Sequence, residues 1–332
     1  MERRGRRPSD PEALWKEKDM SRGEAVDAMV LILRTSGCSW AKKRGCTMCG
    51  YNAASSADVT PDHLRAQLEK AMARYDGEPF VKVYTSGSFL DDREVPPDVR
   101  DDIYSAFSGC ERLLFESRPE YATRDALSQA PKNATLALGL ESSDPIVMRD
   151  CIAKGFTPAD ARRAGVDAKD LGLSVRSYVL LKPPYISEAN AIEDAVATGI
   201  YADGFSDEIS INPVNVQKFT EVERLWRAGE FRPPWIWSLI EVMSRLHGNV
   251  SARVMSSPSG GGSARGVHNG GCCDAKALAA VEKYSFSGDA DDLKVDCGCR
   301  GKWESYLRAE AMLGTPADVD RCVVDGMAIR TR

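Results

Sequence analysis

The sequence predicts an α/β fold built on a parallel sheet. Six short runs dense in Val, Leu, Ile, Phe and Tyr recur between Val30 and Val214, helical stretches with start and stop signals separate them, and most of the runs end in polar or small residues. Such runs mark strands covered on both faces, and regular alternation with helices makes successive strands parallel.

The strand runs are VLILRTS from Val30, FVKVYTSG from Phe80, RLLFES from Arg112, TLALGLES from Thr135, LSVRSYVLLK from Leu173 and EISINPV from Glu208. Between the first two, TPDHLRAQLEKAMARY offers Thr60 as N-cap, Pro61 at the first helical position and Leu64, Leu68 and Met72 on one face. VPPDVRDDIYSAF and TPADARRAGVDAKDLG read the same way, the latter opening at Thr157 and Pro158 and stopping at Gly172. Six units are too few for an eightfold barrel, which leaves a partial barrel or a doubly wound sheet. Both place chemistry at the carboxyl ends of the strands. Thr85 to Gly87, Glu116 to Arg118, Glu141 to Ser143 and Asn212 would then share one mouth.

Further helices are expected around EVERLWRAGE and PPWIWSLIEVMSRL, after which SSPSGGGSARGVHNGGCCD turns rich in Gly and Ser. The expected organisation is a basic N-terminal segment over 1–25, an α/β domain over 26–250 and a cysteine-bearing extension over 251–332.

Composition excludes several classes. With 43% hydrophobic and 28% charged residues the 332-residue chain is globular, and a net charge of −5 argues against nucleic-acid binding by bulk electrostatics. No apolar run of about 18 residues suggests a membrane span, and the N-terminus lacks the apolar stretch of a secretory signal. The expected location is the cytoplasm, where ten cysteines point to metal ligands or redox groups before disulfides. The three histidines share no hydrolytic constellation, and no P-loop pattern occurs.

The loop after the first strand, GCSWAKKRGCTMCGY, spaces Cys38, Cys46 and Cys49 as C-x7-C-x2-C. A zinc site normally takes four protein ligands, and no further Cys or His stands close by. A thioredoxin-like pair would open a helix and have no use for Cys38. A cubane cluster held by three thiolates keeps one iron open to a substrate or cofactor, whereas electron-transfer clusters generally use four.

This loop, its place after the first strand and Met48 before the last cysteine resemble a radical S-adenosylmethionine (SAM) enzyme over roughly Val30 to Val214. The resemblance implies a partial (β/α)6 barrel of radical SAM type, a 4Fe-4S cluster on Cys38, Cys46 and Cys49, and bound SAM. Thr85 to Phe89 is similar to the family's Gly-rich motif, which makes Ser86, Gly87 and Ser88 cofactor contacts, with Tyr51 closing the cysteine loop. Phe115 to Glu120 resembles the ETRPD type of Elongator catalytic subunits, which assigns Glu116 and Arg118 to the cofactor; Glu141 stands where those proteins carry Gln. Arg176 is placed by the same resemblance to reach the methionine carboxylate.

The long cysteine spacing followed by GY, the YTSGSFLD, FESRPE, LLKPPYISE and ISINPVNVQKFTEVERLW stretches and the late CCD…DCGCRGKW segment resemble the radical SAM subunits of archaeosine synthases. That implies a tRNA substrate whose 7-cyano-7-deazaguanine base has received lysine from a partner, the lysine-transferring alpha subunit, and cleavage of a carbon–nitrogen bond to leave archaeosine. Lys182, Asn212, Asn215 and Gln217, at or just past strand ends, are the residues expected to face the substrate; strand-end hydrogen bonding is the alternative. Another Elongator-like or methylthio-type tRNA modifier, or a non-catalytic iron–sulfur or zinc RNA-binding module, are the competing functions. The basic runs at Glu2 to Arg7 and Ala41 to Gly45 would assist tRNA binding, with the partner supplying much of the phosphate contact.

His268, Cys272, Cys273, Cys297 and Cys299 form a second group, read as a metal site holding zinc or an auxiliary iron–sulfur cluster, although neither cysteine pair has the C-x2-C spacing of a zinc knuckle. Cys110, Cys151 and Cys322 stand alone and are expected to be packing residues.

Overall fold

The computed structural model describes residues 7–313, so Cys322 and residues 2–6 of the N-terminal basic run lie outside the described residues. Its strands join in a sheet that follows chain order, β1 to β8. Five of the expected runs are β3 (Phe80–Tyr84), β4 (Arg112–Ser117), β5 (Ala134–Glu141), β6 (Ser174–Leu181) and β7 (Glu208–Pro213), while the run expected from Val30 is only the end of β2 (Glu24–Ile32), whose earlier residues are drawn into the sheet by pairing with β1. Two strands were not expected: β1 (Ala13–Ser21) and the three-residue β8 (Arg253–Met255).

The described residues fall into two compact units, the first comprising 7–45, Tyr51–Gly139 and Ala159–Arg176, the second Cys46–Gly50, Leu140–Pro158 and 177–313. In the first, β1 and β2 make an antiparallel hairpin with Ser21 opposite Glu24. Arg22 and Gly23 both take positive φ, 49° and 85°, as the tightest hairpin turns require. β2, β3, β4 and the start of β5 then run parallel, with Ile32 beside Tyr84, Val83 beside Phe115 and Phe115 beside Leu136. Helix α1 (Pro61–Met72) opens with a capping box in which the Thr60 hydroxyl accepts from His63 N–H and the His63 ring accepts from Thr60 N–H, so His63 serves the helix start. α2 (Pro97–Ala106), α3 (Arg124–Ser128) and α4 (Pro158–Asp170) complete the crossovers. Phe80, Val83, Phe89, Phe107 and Phe115 are essentially fully buried.

In the second unit, β7 pairs parallel with β8. α5 (Glu188–Asp203) and α7 (Ile236–Leu246) pack on β7, α7 and α8 (Asp274–Ser287) pack on β8, and the unit also holds α6 (Glu221–Arg227) and α9 (Arg300–Leu313). A core of Met148, Ile152, Leu180, Val214, Val222 and Phe231 gathers beside a π-helical turn at Val147–Ile152. No described helix is long and apolar enough to cross a membrane.

Candidate active site

The Gly-rich turn after β3 is held from below by a buried carboxylate. Glu94 accepts from Thr35 Oγ1 at 2.6 Å and from Ser88 N–H at 2.7 Å, and burial holds its carboxyl above the usual range. The turn is thereby tied to the end of β2, where the cysteine loop begins. Gly87 then passes against Cys38: a Cβ on Gly87 would stand 2.6 Å from Cys38 Cα and 2.8 Å from its Cβ. Only glycine permits that approach. Ser88 Oγ accepts from Arg118 N–H and Glu116 O accepts from Phe89 N–H, which joins the β3 turn to the end of β4. The Arg118 guanidinium lies over the ring of Trp40 and pairs with Glu120. Ser86 Oγ donates to Tyr51 O, leaving the Tyr51 ring largely exposed. Sequence reasoning missed Glu94, since nothing in DREVPP marks a carboxylate that folds back under a turn six residues earlier.

Arg176 is placed elsewhere than expected. It stands third in β6, at the amino end of the strand, 3% exposed, with its guanidinium paired to Asp19 of β1 and lying over Phe80 at the start of β3. Lys82 pairs with the same Asp19 carboxylate. A strand run announces the strand but not which end a given side chain serves, and Arg176 answers the buried charge of Asp19, well away from the carboxyl ends.

Cys46–Gly50, in the second half of the cysteine loop, belongs to the second unit. Cys49 N–H donates to Cys46 O, putting both thiols in one turn. Thr47 Oγ1 donates to Cys151 O, Thr47 O accepts from Val222 N–H, and Met48 packs against the Leu180 and Phe231 core. Gly50 N–H donates to Gln217 Oε1 at 2.6 Å, while Gln217 Nε2 donates to Asn215 Oδ1. Asn215 and Gln217 thus brace the loop. Asn212 accepts from Ser210 Oγ.

Two strand ends in this unit carry left-handed backbone on bulky residues. Glu141, the last residue of β5, has φ 68° and pairs with Lys154 at 2.6 Å; Lys182, just past β6, has φ 63° and pairs with Glu188 at 2.6 Å. Such strain, of order 1–3 kcal/mol per residue, persists only where surrounding contacts over-determine it. Lys182 is 1% exposed, with the rings of Phe231 and Tyr306 under 6 Å from its ammonium. It lines a cavity of ≈ 280 Å³ with Tyr185, Ser187, Glu230, Phe231 and Glu310.

A protein named archaeosine synthase subunit beta, from Methanosarcina acetivorans, is 39% identical to this chain over 323 residues, 93% of each. The chain belongs to the archaeosine synthase subunit beta family. A Thermococcus kodakarensis protein of the same name is 35% identical over 90% of this chain and 97% of its own. A radical SAM methyltransferase from Sphaerobacter thermophilus, 12% identical, superposes on 75% of this chain and 78% of its own with a TM-score of 0.51. At that identity the likeness shows the fold alone, which is the expected partial barrel of radical SAM type. No protein-family model matches.

A cubane cluster and SAM, the groups expected from the sequence, would call for free thiols at the three cysteines of the loop. Cys38, Cys46 and Cys49 are half-buried and none is in a disulfide, and Gly87 sets no side chain against Cys38.

The late cysteines converge. The sulfurs of Cys272, Cys273, Cys297 and Cys299 all lie within 4.8 Å of one another, with Cys272 and Cys297 on the outside and Cys273 and Cys299 buried or nearly so. His268 is not in the group; its Nδ1 lies 2.7 Å from Gly266 O, and burial lowers its pKa. The backbone N–H of Cys299 and then the neighbouring thiols draw the Cys297 thiol down to about 7.

Proposed function

We propose that this chain is the radical SAM component of archaeosine formation. Its substrate is tRNA whose deazaguanine base carries lysine, and the bond broken joins a lysine carbon to the nitrogen that stays on the base as a formamidine. The observation that carries this reading is the 39% identity spanning 93% of both chains with a protein named for that role. Cys38, Cys46 and Cys49 would hold the cluster. The cluster and SAM together supply reductive cleavage of a sulfonium carbon–sulfur bond, and so a carbon radical able to take hydrogen from the substrate.

The chain's own residues orient and shield. Ser86, Gly87 and Ser88 offer close-lying backbone to the methionine end of SAM, and Glu116, Arg118 and Tyr51 flank that turn. Lys182 and the acidic wall of Glu230 and Glu310 are assigned to the lysine moiety, whose ammonium and carboxylate match a cavity of mixed charge, and Asn212, in β7, is assigned to the substrate from outside that lining. Glu310 is held above its usual pKa by burial. Lys42, Lys43 and Arg44 are exposed on the cysteine loop and would meet phosphate. A partner subunit that attaches the lysine would supply most of the remaining tRNA contact, because this chain is net negative.

The test is product analysis: anaerobically reconstituted protein, SAM, a reductant and lysine-adducted tRNA should yield archaeosine by mass spectrometry. Formation of 5′-deoxyadenosine with no archaeosine would reject the substrate, though not the radical chemistry.

A further inference from the structure

We infer that Cys272, Cys273, Cys297 and Cys299 hold a single zinc ion whose role is structural, joining the start of α8 to the start of α9. Size is the first argument. Zinc–thiolate bonds of about 2.3 Å arranged tetrahedrally set neighbouring sulfurs about 3.8 Å apart. Here Cys272 and Cys297 stand at 3.4 Å, Cys273 and Cys299 at 3.2 Å, and no pair exceeds 4.8 Å. A cubane attaches each thiolate to a different iron and needs a wider cage.

The donors around the sulfurs are the second argument. Trp237 Nε1–H, which can only donate, points to Cys299 Sγ at 3.3 Å, and Asn269 Nδ2 donates to Cys273 Sγ at 3.3 Å. Asn269 is itself fixed, its Oδ1 accepting from Trp237 N–H and its N–H donating to Asp274. Donors aimed at two buried sulfurs suit thiolates, and such outer partners are what orient metal ligands.

Helix geometry is the third. Cys273 is the N-cap of α8 yet makes no side-chain cap bond, and Cys299 O accepts from Lys302 and Trp303 N–H at the start of α9. Two positive helix ends therefore converge on a site whose four thiolates and one divalent ion would sum to a negative charge. The four thiols release their protons to solvent as the ion binds, and no redox change is involved.

The ion would reach the Lys182 cavity through α9. Trp303 Nε1–H donates to Ser238 Oγ, Ser238 Oγ donates to Glu188 Oε1, and Glu310 accepts from Glu188 N–H.

The experiment uses the full chain carrying Cys38→Ala, Cys46→Ala and Cys49→Ala, purified without chelators and assayed for zinc, iron and acid-labile sulfide. One zinc per chain with no iron is expected; iron with sulfide, or no metal, overturns the inference. Stripped protein titrated with Co2+ should develop the ligand-field absorption of a tetrahedral thiolate site, complete at one equivalent and abolished by Zn2+. Cys272→Ser, on the exposed rim, should keep the native circular dichroism and weaken Co2+ binding by about tenfold or more. Unchanged Co2+ binding in that variant would exclude Cys272 and overturn the four-sulfur site. Because the cluster thiols are absent throughout, these results stand apart from the proposed reaction.

Discussion

Gly87 and Cys38 touch backbone to backbone, with the missing Cβ of Gly87 falling 2.6 Å from Cys38 Cα. A methyl group there must displace both the Cys38 backbone and the Glu94 carboxylate, whose Oε2 would lie 2.5 Å from it. Gly87→Ala should retain its fold and lose iron from the cluster site. SAM cleavage, followed as 5′-deoxyadenosine, should fall about ten- to a hundredfold, the scale of a misplacement near 1 Å. Normal iron content and turnover would show that this contact is not needed.

Gln217 receives the Gly50 amide beside Cys49. Gln217→Ala leaves that N–H to solvent, at a cost of about 1 kcal/mol to the loop and little to global stability. The expected result is an unchanged urea midpoint with faster loss of iron to a chelator.

Lys182 and Glu188 are 2% and 1% exposed at their side chains, so each charge relies on the other. Lys182→Met strands a carboxylate that also accepts from Trp235 N–H and Ser238 Oγ, and should destabilise the chain by about 3–5 kcal/mol in denaturant titration. Adding Glu188→Gln should recover part of that loss. If the double variant is less stable than Lys182→Met alone, the pair is not coupled as described.

Burial pushes the Asp194 carboxyl up to about 6, with the charge of Asp144 adding to the effect, while Ser142 Oγ donates to it. Its folded pKa exceeds the ordinary 3.8, so the native state binds the extra proton between those values. Asp194 therefore favours folding below about pH 4, and that contribution is lost as pH rises through about 6. Asp194→Asn should remove this downward slope between pH 4 and 6 when its stability curve is subtracted from that of the parent. A difference curve that is flat over that interval would contradict the raised pKa.

Much of the architecture was legible because strands β3 to β7 fall on short runs dense in Val, Leu, Ile, Phe and Tyr, and α1 and α4 carry Thr-Pro starts. β1 was not: ALWKEKDMS alternates apolar with charged residues, and its buried end, Asp19 and Ser21, is polar. Its place is set by pairing with β2 and by the cations Lys82 and Arg176 that neutralise Asp19, none of which is local in sequence. The same distant pairing moved Arg176 from an expected ligand to a buried ion pair. The late cysteines were visible as a group, yet their arrangement rests on two helix starts 26 residues apart, Cys273 and Cys299, and no spacing rule encodes that. Glu94 and Gln217 left no signal, since each acts on a backbone amide far away in sequence.

The four late sulfurs are split into a weathered pair and a sheltered one. Cys272 is exposed and Cys297 half-buried, whereas Cys273 and Cys299 are each 7% exposed. Dissolved oxygen or peroxide meets the outer two first, and being 3.4 Å apart they are poised to oxidise as neighbours before the inner two are reached. Damage in air should therefore start as a reversible bond at the rim, which dithiothreitol can undo, and handling history becomes a variable in every preparation of the protein.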